Sequence, residues 1–220
     1  MLGNLILIAP FVAMFWAIWY QNFSAWVTQA ERMDLHFMGL NWLAGQIQTA
    51  NAVLILVFLP LFSYVIYPAL EKIFPLTPLR KIGLGLLVTV VAFLFPAWIE
   101  ARLGQGVKVN IVWQLVAYVF LTAAEIMVSV THLEFCYTQA PKRLKSLVMA
   151  TYLGAISLGN LFTAGVNYFI QNKDGSVKLS GANYYLFFAG LMLVTTAVFV
   201  FVAKAYRGKT YIQDESPAAG

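Results

Sequence analysis

Glu125 is the residue whose position most clearly asks for chemistry. It lies about halfway along Ile111–Tyr137 (IVWQLVAYVFLTAAEIMVSVTHLEFCY), a mostly apolar stretch long enough to cross a bilayer. A carboxylate at that depth is costly, so it is expected to face a bundle interior or a wet cavity, where its chemistry is proton or ion coupling. Ser129 is four residues on and shares its helix face. His132 stands near the same face, about 10 Å further along at 1.5 Å per residue. Glu134 is turned roughly half way around the helix, towards the basic group Lys142, Arg143 and Lys145. The other strong polar groups deep in apolar runs are Gln21, Asn51, Asn160 and Asn167.

Plainer roles compete for most of these. Asn51 reads equally as an interhelical hydrogen-bond partner. Ser129 reads first as a serine bonded to its own backbone, His132 as an interfacial histidine, and Glu134 as a partner of the basic loop. Trp16, Trp19 and Tyr20 read as lipid-facing or core aromatics. Cys136, the single cysteine, reads as a small packed helix residue and excludes an internal disulfide or a cysteine-based metal cluster. Glu125 alone is hard to place as a bystander.

The elements that position these residues follow from composition. The chain of 220 residues is 61% hydrophobic and 10% charged, with a mean hydropathy of +0.76. A soluble domain carries about 25% charged residues, so this is an integral membrane protein. Apolar runs and their breaks predict six transmembrane helices, at about 4–28, 48–70, 81–99, 109–137, 146–170 and 183–206, followed by a polar tail at 207–220. Alternating strands of a membrane barrel are absent. The N-terminus lacks the basic start of a cleavable signal peptide. Turn chemistry marks the connectors Phe74–Pro78, Gly104–Gly106 and Asn172–Ser176.

The net charge of +5 comes from loop residues between apolar runs, so it points to a membrane surface and not to nucleic acid. Nine Lys and Arg fall on one side (Lys72, Arg80, Lys81, Lys142, Arg143, Lys145, Lys204, Arg207, Lys209) and five on the other (Arg32, Arg102, Lys108, Lys173, Lys178). The richer side is expected to be cytoplasmic, with both termini inside. Ala155 and Gly159 form a small-xxx-small pair suited to close helix approach. Pro60 is expected to kink the second helix. Trp98, Tyr184, Tyr185 and Tyr206 near helix ends read as interface anchors. No phosphate-binding loop, nucleophile elbow or paired-histidine motif is present, so an enzyme is not expected.

Four segments carry a family resemblance. They are Phe15–Gln21 with Ser24 and Gln29-Ala30; Gln48–Asn51 with Pro60 nine residues on; Ala124-Glu125 with Ser129 and Leu133–Pro141; and Lys145-Ser146 with Gly159-Asn160. The chain resembles the C-terminal half of proton-coupled oligopeptide transporters of the major facilitator superfamily, over nearly its whole length. The resemblance implies an all-α, six-transmembrane-helix bundle, one half of a major facilitator fold built as two inverted three-helix repeats. It implies symport of di- and tripeptides driven by protons, with no other cofactor. A bacterial inner (plasma) membrane is the expected location.

It also implies roles. Asn51 and Glu125 would bind the peptide's amino terminus, with Ser129 beside them. Trp16 would line the side-chain pocket, and Tyr20, Gln21 and Tyr152 would complete the site. A carboxylate and an amide oxygen can hold an ammonium by charge-assisted hydrogen bonds. Glu125 would exchange between holding a proton and holding that ammonium, because burial favours a carboxyl's neutral form and a nearby cation its charged form.

Three positions depart from the family pattern: Tyr20 where many relatives carry an acid, Tyr152 where Trp is common, and His132 where Gly is expected. The resemblance also makes an N-terminal six-helix bundle the expected partner, since the binding site of such transporters lies between two bundles. A non-transporting remnant or partner membrane protein, and a transporter of another small solute, are the alternatives. Asn51 and Glu125 favour an amine-bearing cargo.

Overall fold

The computed structural model describes residues 7–139, 144–170 and 178–206. Among the described residues five stretches are long and apolar enough to cross a membrane: Ala44–Glu71, Pro78–Gly104, Val112–Thr138, Lys145–Ile170 and Ala182–Ala205. They correspond to the second to sixth predicted spans. The connector Asn172–Ser176, the loop residues Lys142 and Arg143, and the tail from Arg207 lie outside the described residues.

The first predicted span is not one helix. It runs as α1 (Ala9–Trp19), a 3₁₀ turn (Tyr20–Phe23) and a short α2 (Ala25–Ala30). Ser24 at the junction leaves helical geometry, with φ −130° and ψ −86°. Side chains compete for the backbone here: Asn22 Nδ2 donates to the Trp19 carbonyl at 2.6 Å. A hydropathy pattern registers apolar length but not this interruption.

Beyond it comes a hairpin, β1 (His36–Phe37) and β2 (Leu40–Asn41), paired antiparallel. Its turn residues Met38 and Gly39 both have positive φ (53° and 77°), as a two-residue type I′ turn requires. The hairpin is lashed to the segment before α6. Asp34 N donates to Val109 O and Ile111 N donates to Asp34 O, each at 2.9 Å.

The second span is α3 (Thr49–Leu61), a π turn (Phe62–Ile66) and α4 (Tyr67–Glu71). Pro60 sits inside α3, and the π turn follows it directly. The third, α5 (Pro78–Gly104), starts at a Thr77 cap whose hydroxyl accepts from Arg80 N, with Pro78 at the first helical position. It continues five residues past the predicted end because Glu100, an apparent stop signal, is buried and paired with Arg32. The fourth is α6 (Val112–Glu125), a second π turn (Ile126–Val130) and α7 (Thr131–Gln139). Then follow α8 (Lys145–Ile170) and α9 (Ala182–Ala205).

Helix α5 packs along both α6 and α9, α1 packs along α8, and α3 leans on α6. The core includes Trp26, with Phe93 tilted against it at 5.6 Å and Tyr118 meeting it edge-on at 5.0 Å between ring centres. The predicted close approach at Gly159 is present: a Cβ there would strike the backbone of Ala13 and Ala17. One turn on, Thr163 Oγ1 donates to Ala17 O at 2.7 Å. Gly85 serves α5 in the same way, since a Cβ there would fall 2.6 Å from Val128 Cγ2 in the second π turn. Tyr185 is not an interface anchor; it is buried in the core and its hydroxyl donates to Ala25 O at 2.9 Å.

In the 18-residue apolar stretches of Ala44–Glu71 and Lys145–Ile170 only 6% and 17% of residues are buried, against 50% for Pro78–Gly104 and 61% for Val112–Thr138. Two long apolar spans therefore present most of their surface outward.

Candidate functional site

Glu125 is the last residue of α6, immediately before the second π turn. Turns of this kind occur often at functional sites, because the extra residue re-aims the side chains around it. The half-buried Glu125 side chain accepts two hydrogen bonds on Oε2, from Trp19 Nε1 at 3.0 Å and from Asn51 Nδ2 at 2.9 Å. Asn51 Nδ2 also reaches Thr122 Oγ1 at 3.0 Å, one turn before Glu125. One amide thus ties α3 to α6, and one indole ties α1 to the same carboxylate. Among the described residues Oε1 receives no hydrogen bond, and no cation pairs with Glu125.

The neighbouring groups come from the π turn and α8. Ser129 Oγ and Tyr152 OH lie 2.7 Å apart, so Ser129 bridges helices. The Tyr152 ring meets Trp16 edge-on at 6.1 Å and stacks on His132 at 6.1 Å. Trp16 in turn packs on Trp19 and Tyr20, at 5.1 and 5.6 Å. Six of the seven predicted site residues (Trp16, Tyr20, Asn51, Glu125, Ser129 and Tyr152) therefore join one polar and aromatic patch across α1, α3, α6 and α8. Gln21 does not join these contacts. It is 1% exposed, and its amide donates to Ala17 O of its own helix at 3.3 Å.

His132 is not interfacial. It is 2% exposed, and its Nε2 lies 3.3 Å from the buried Cys136 Sγ one turn on. Glu134 is exposed. Among the deep asparagines, Asn160 bonds its own helix and Asn167 accepts from Tyr184 OH at 3.1 Å.

Sequence reasoning missed two features. Trp19 is a donor to the central carboxylate, yet nothing in its residue type separates it from the aromatics around it. The second is a polar knot near the span ends, buried except for the half-exposed Arg32 side chain. Gln29 Nε2 donates to Pro96 O and to Glu100 Oε2, both at 2.9 Å, and Arg32 pairs with Glu100 at 2.7 Å. Gln114 Nε2 donates to Trp26 O at 2.8 Å. The four residues Gln29, Arg32, Glu100 and Gln114 lie at span ends, where polarity reads as solvent exposure. The knot sharpens the contrast with Glu125: the buried Glu100 carboxylate holds an arginine, and among the described residues the half-buried Glu125 carboxylate holds only neutral donors.

A family model described as the POT family matches residues 1–187. The Saccharomyces cerevisiae "Peptide transporter PTR2" is 29% identical over 163 residues, covering 68% of this chain and 26% of the yeast protein. The Drosophila melanogaster "Peptide transporter family 1" is 43% identical over 106 residues, covering 48% of this chain and 14% of the fly protein. Among solved structures, an auto-inhibited POT family peptide transporter matches with a TM-score of 0.86 at 29% identity, covering 99% of this chain and 43% of that one. The POT family transporter PepTSo matches with a TM-score of 0.84 at 30% identity, covering 92% and 41%. This chain therefore spans less than half the length of each of these proteins.

Proposed function

The chain belongs to the POT family, and from that premise we propose that it forms the C-terminal half of a proton-coupled symporter of di- and tripeptides. The observation that carries this reading is Glu125: a half-buried carboxylate that meets two neutral donors and no cation among the described residues. Such a group calls for a proton or a bound ammonium. Its Oε1 and the Asn51 amide oxygen are the acceptors for a peptide's amino terminus, whose ammonium carries three donors. Trp16, Tyr20 and Tyr152 supply apolar walls for the first side chain, and the Ser129 hydroxyl lines the same wall. A second six-helix bundle closes the cavity and binds the peptide's carboxyl end. Uptake of a labelled dipeptide into proteoliposomes holding this chain and such a bundle tests the reading. Uptake should follow an inward proton gradient, and uptake indifferent to the gradient would overturn it.

From the Lys and Arg bias of the sequence we infer that the Lys142–Lys145 loop and both termini are cytoplasmic. Cysteine introduced at Gln105 should react with an impermeant maleimide added to intact cells, and cysteine at Lys145 should not. The opposite labelling would invert the topology.

A further inference from the structure

Away from the Glu125 patch, a groove of about 880 Å³ lies between the start of α5 and the end of α9. Neither helix contributes a residue to that patch. The two helices run antiparallel through the groove, so its ends differ in chemistry. At one end Arg80 of α5 and Lys204 of α9 line it, both exposed. About 10 Å deeper, at 1.5 Å per residue, it is lined by Leu87 and Thr196. The Thr196 hydroxyl donates to Met192 O at 2.8 Å, so the deep end makes no polar demand on an occupant. Gly83 lines the wall between, where a Cβ would come within 3.4 Å of the Phe199 ring.

Among the described residues no carboxylate lines this groove, and Arg80 and Lys204 are its charged groups. Arg80 spends one donor on Pro75 O at 2.6 Å, leaving the rest of its five-donor fork available. Lys204 makes no hydrogen bond or ion pair among the described residues. The groove is thus cationic at the surface and apolar below.

We propose that this groove binds an anionic glycerophospholipid, with its phosphate between Arg80 and Lys204 and an acyl chain lying along Leu87 towards Thr196. The polarity gradient selects this occupant. A free phosphate leaves the apolar length empty, and a peptide strand leaves backbone groups unsatisfied at membrane depth. A lipid standing along the membrane normal matches both ends.

The test is native mass spectrometry of the full chain released from nanodiscs of equal phosphatidylglycerol and phosphatidylcholine. The wild-type chain should retain phosphatidylglycerol over phosphatidylcholine by roughly thirtyfold, the ratio expected of two basic groups at a membrane surface. Arg80→Gln with Lys204→Gln should bring the ratio near parity. Lys108→Gln with Lys178→Gln removes the same charge elsewhere on the surface and should leave the ratio unchanged. Leu87→Trp narrows the groove and should reduce retention of both lipids. No preference in the wild type, an equal loss in both double variants, or a preference that survives loss of Arg80 and Lys204 would each overturn the proposal. Full lipid retention by Leu87→Trp would also overturn it.

Discussion

With no cation beside it among the described residues, Glu125 is a group whose charge must be met by a proton or by cargo. Glu125→Gln removes titration while keeping shape and an acceptor. In the assembled transporter this variant should lose proton-driven accumulation and keep part of its peptide exchange across the membrane without a gradient. Asn51→Ala acts differently: it removes the amide that bonds Glu125 and Thr122. It should weaken peptide affinity by about 1–3 kcal/mol while leaving the proton dependence in place. Gradient-driven uptake and counterflow, measured on both variants, separate the roles. Accumulation by Glu125→Gln at the wild-type level would remove Glu125 from coupling. Both residues are legible in the sequence because strong polar groups stand out against an apolar run. Trp19 is not legible, since an indole that donates to a carboxylate has the same residue type as one facing lipid. Gln21 is the converse case, a deep polar residue whose amide nitrogen turns back to the Ala17 carbonyl of α1 and not to the patch.

At the scale of elements, hydropathy finds five continuous spans and fails at the first, where the backbone is interrupted inside an apolar run. The competing side chain is Asn22, and its bond to the Trp19 carbonyl explains a break that composition cannot show. Small-residue spacing is more reliable, because close approach leaves few alternatives to glycine. Gly159→Leu drives a side chain into the backbone of α1. It should destabilise the bundle by about 1–3 kcal/mol, the usual range for overpacking, seen as a lower unfolding temperature in detergent. Gly165→Leu on the same helix meets open space and should leave that temperature unchanged.

The hairpin gives a pH prediction at this scale. The Asp34 carboxyl lies below the usual aspartate range, first because the His36 backbone N–H donates to it and next because the Asn110 amide does. A depressed acid contributes stability that is fully present above its unfolded value, about 3.9, and is lost as pH falls through the folded value. Protection factors for the Asp34 and Ile111 amides should therefore hold from pH 7 to about pH 4 and fall below it. Asp34→Asn should flatten that profile. Constant protection of the wild type down to pH 3 would show that the carboxylate does not hold the lash.

The whole molecule is asymmetric in what it covers. α5 and α6 are packed on several sides, while the spans Ala44–Glu71 and Lys145–Ile170 present largely uncovered apolar surface. Those same spans carry Asn51 and Tyr152 to the Glu125 patch. Where the ligand site lies between two bundles, a patch carried by one of them can bind part of a ligand, but it cannot by itself seal the ligand from either face of the membrane in turn. Alternating access needs a second body that rocks against this one. Proteoliposomes holding this chain alone should therefore show no proton-driven dipeptide uptake, and adding an N-terminal six-helix bundle should restore it. The chain should still protect Cys136 from thiol reagents, because that cysteine is buried against His132 within the bundle itself. Reactive Cys136 together with absent uptake would mean an unfolded chain, and the pairing experiment would then be read only on the co-reconstituted sample. Folded chain that accumulates dipeptide unaided would show that two copies can close the cavity between them, and the requirement for a distinct second bundle would fail.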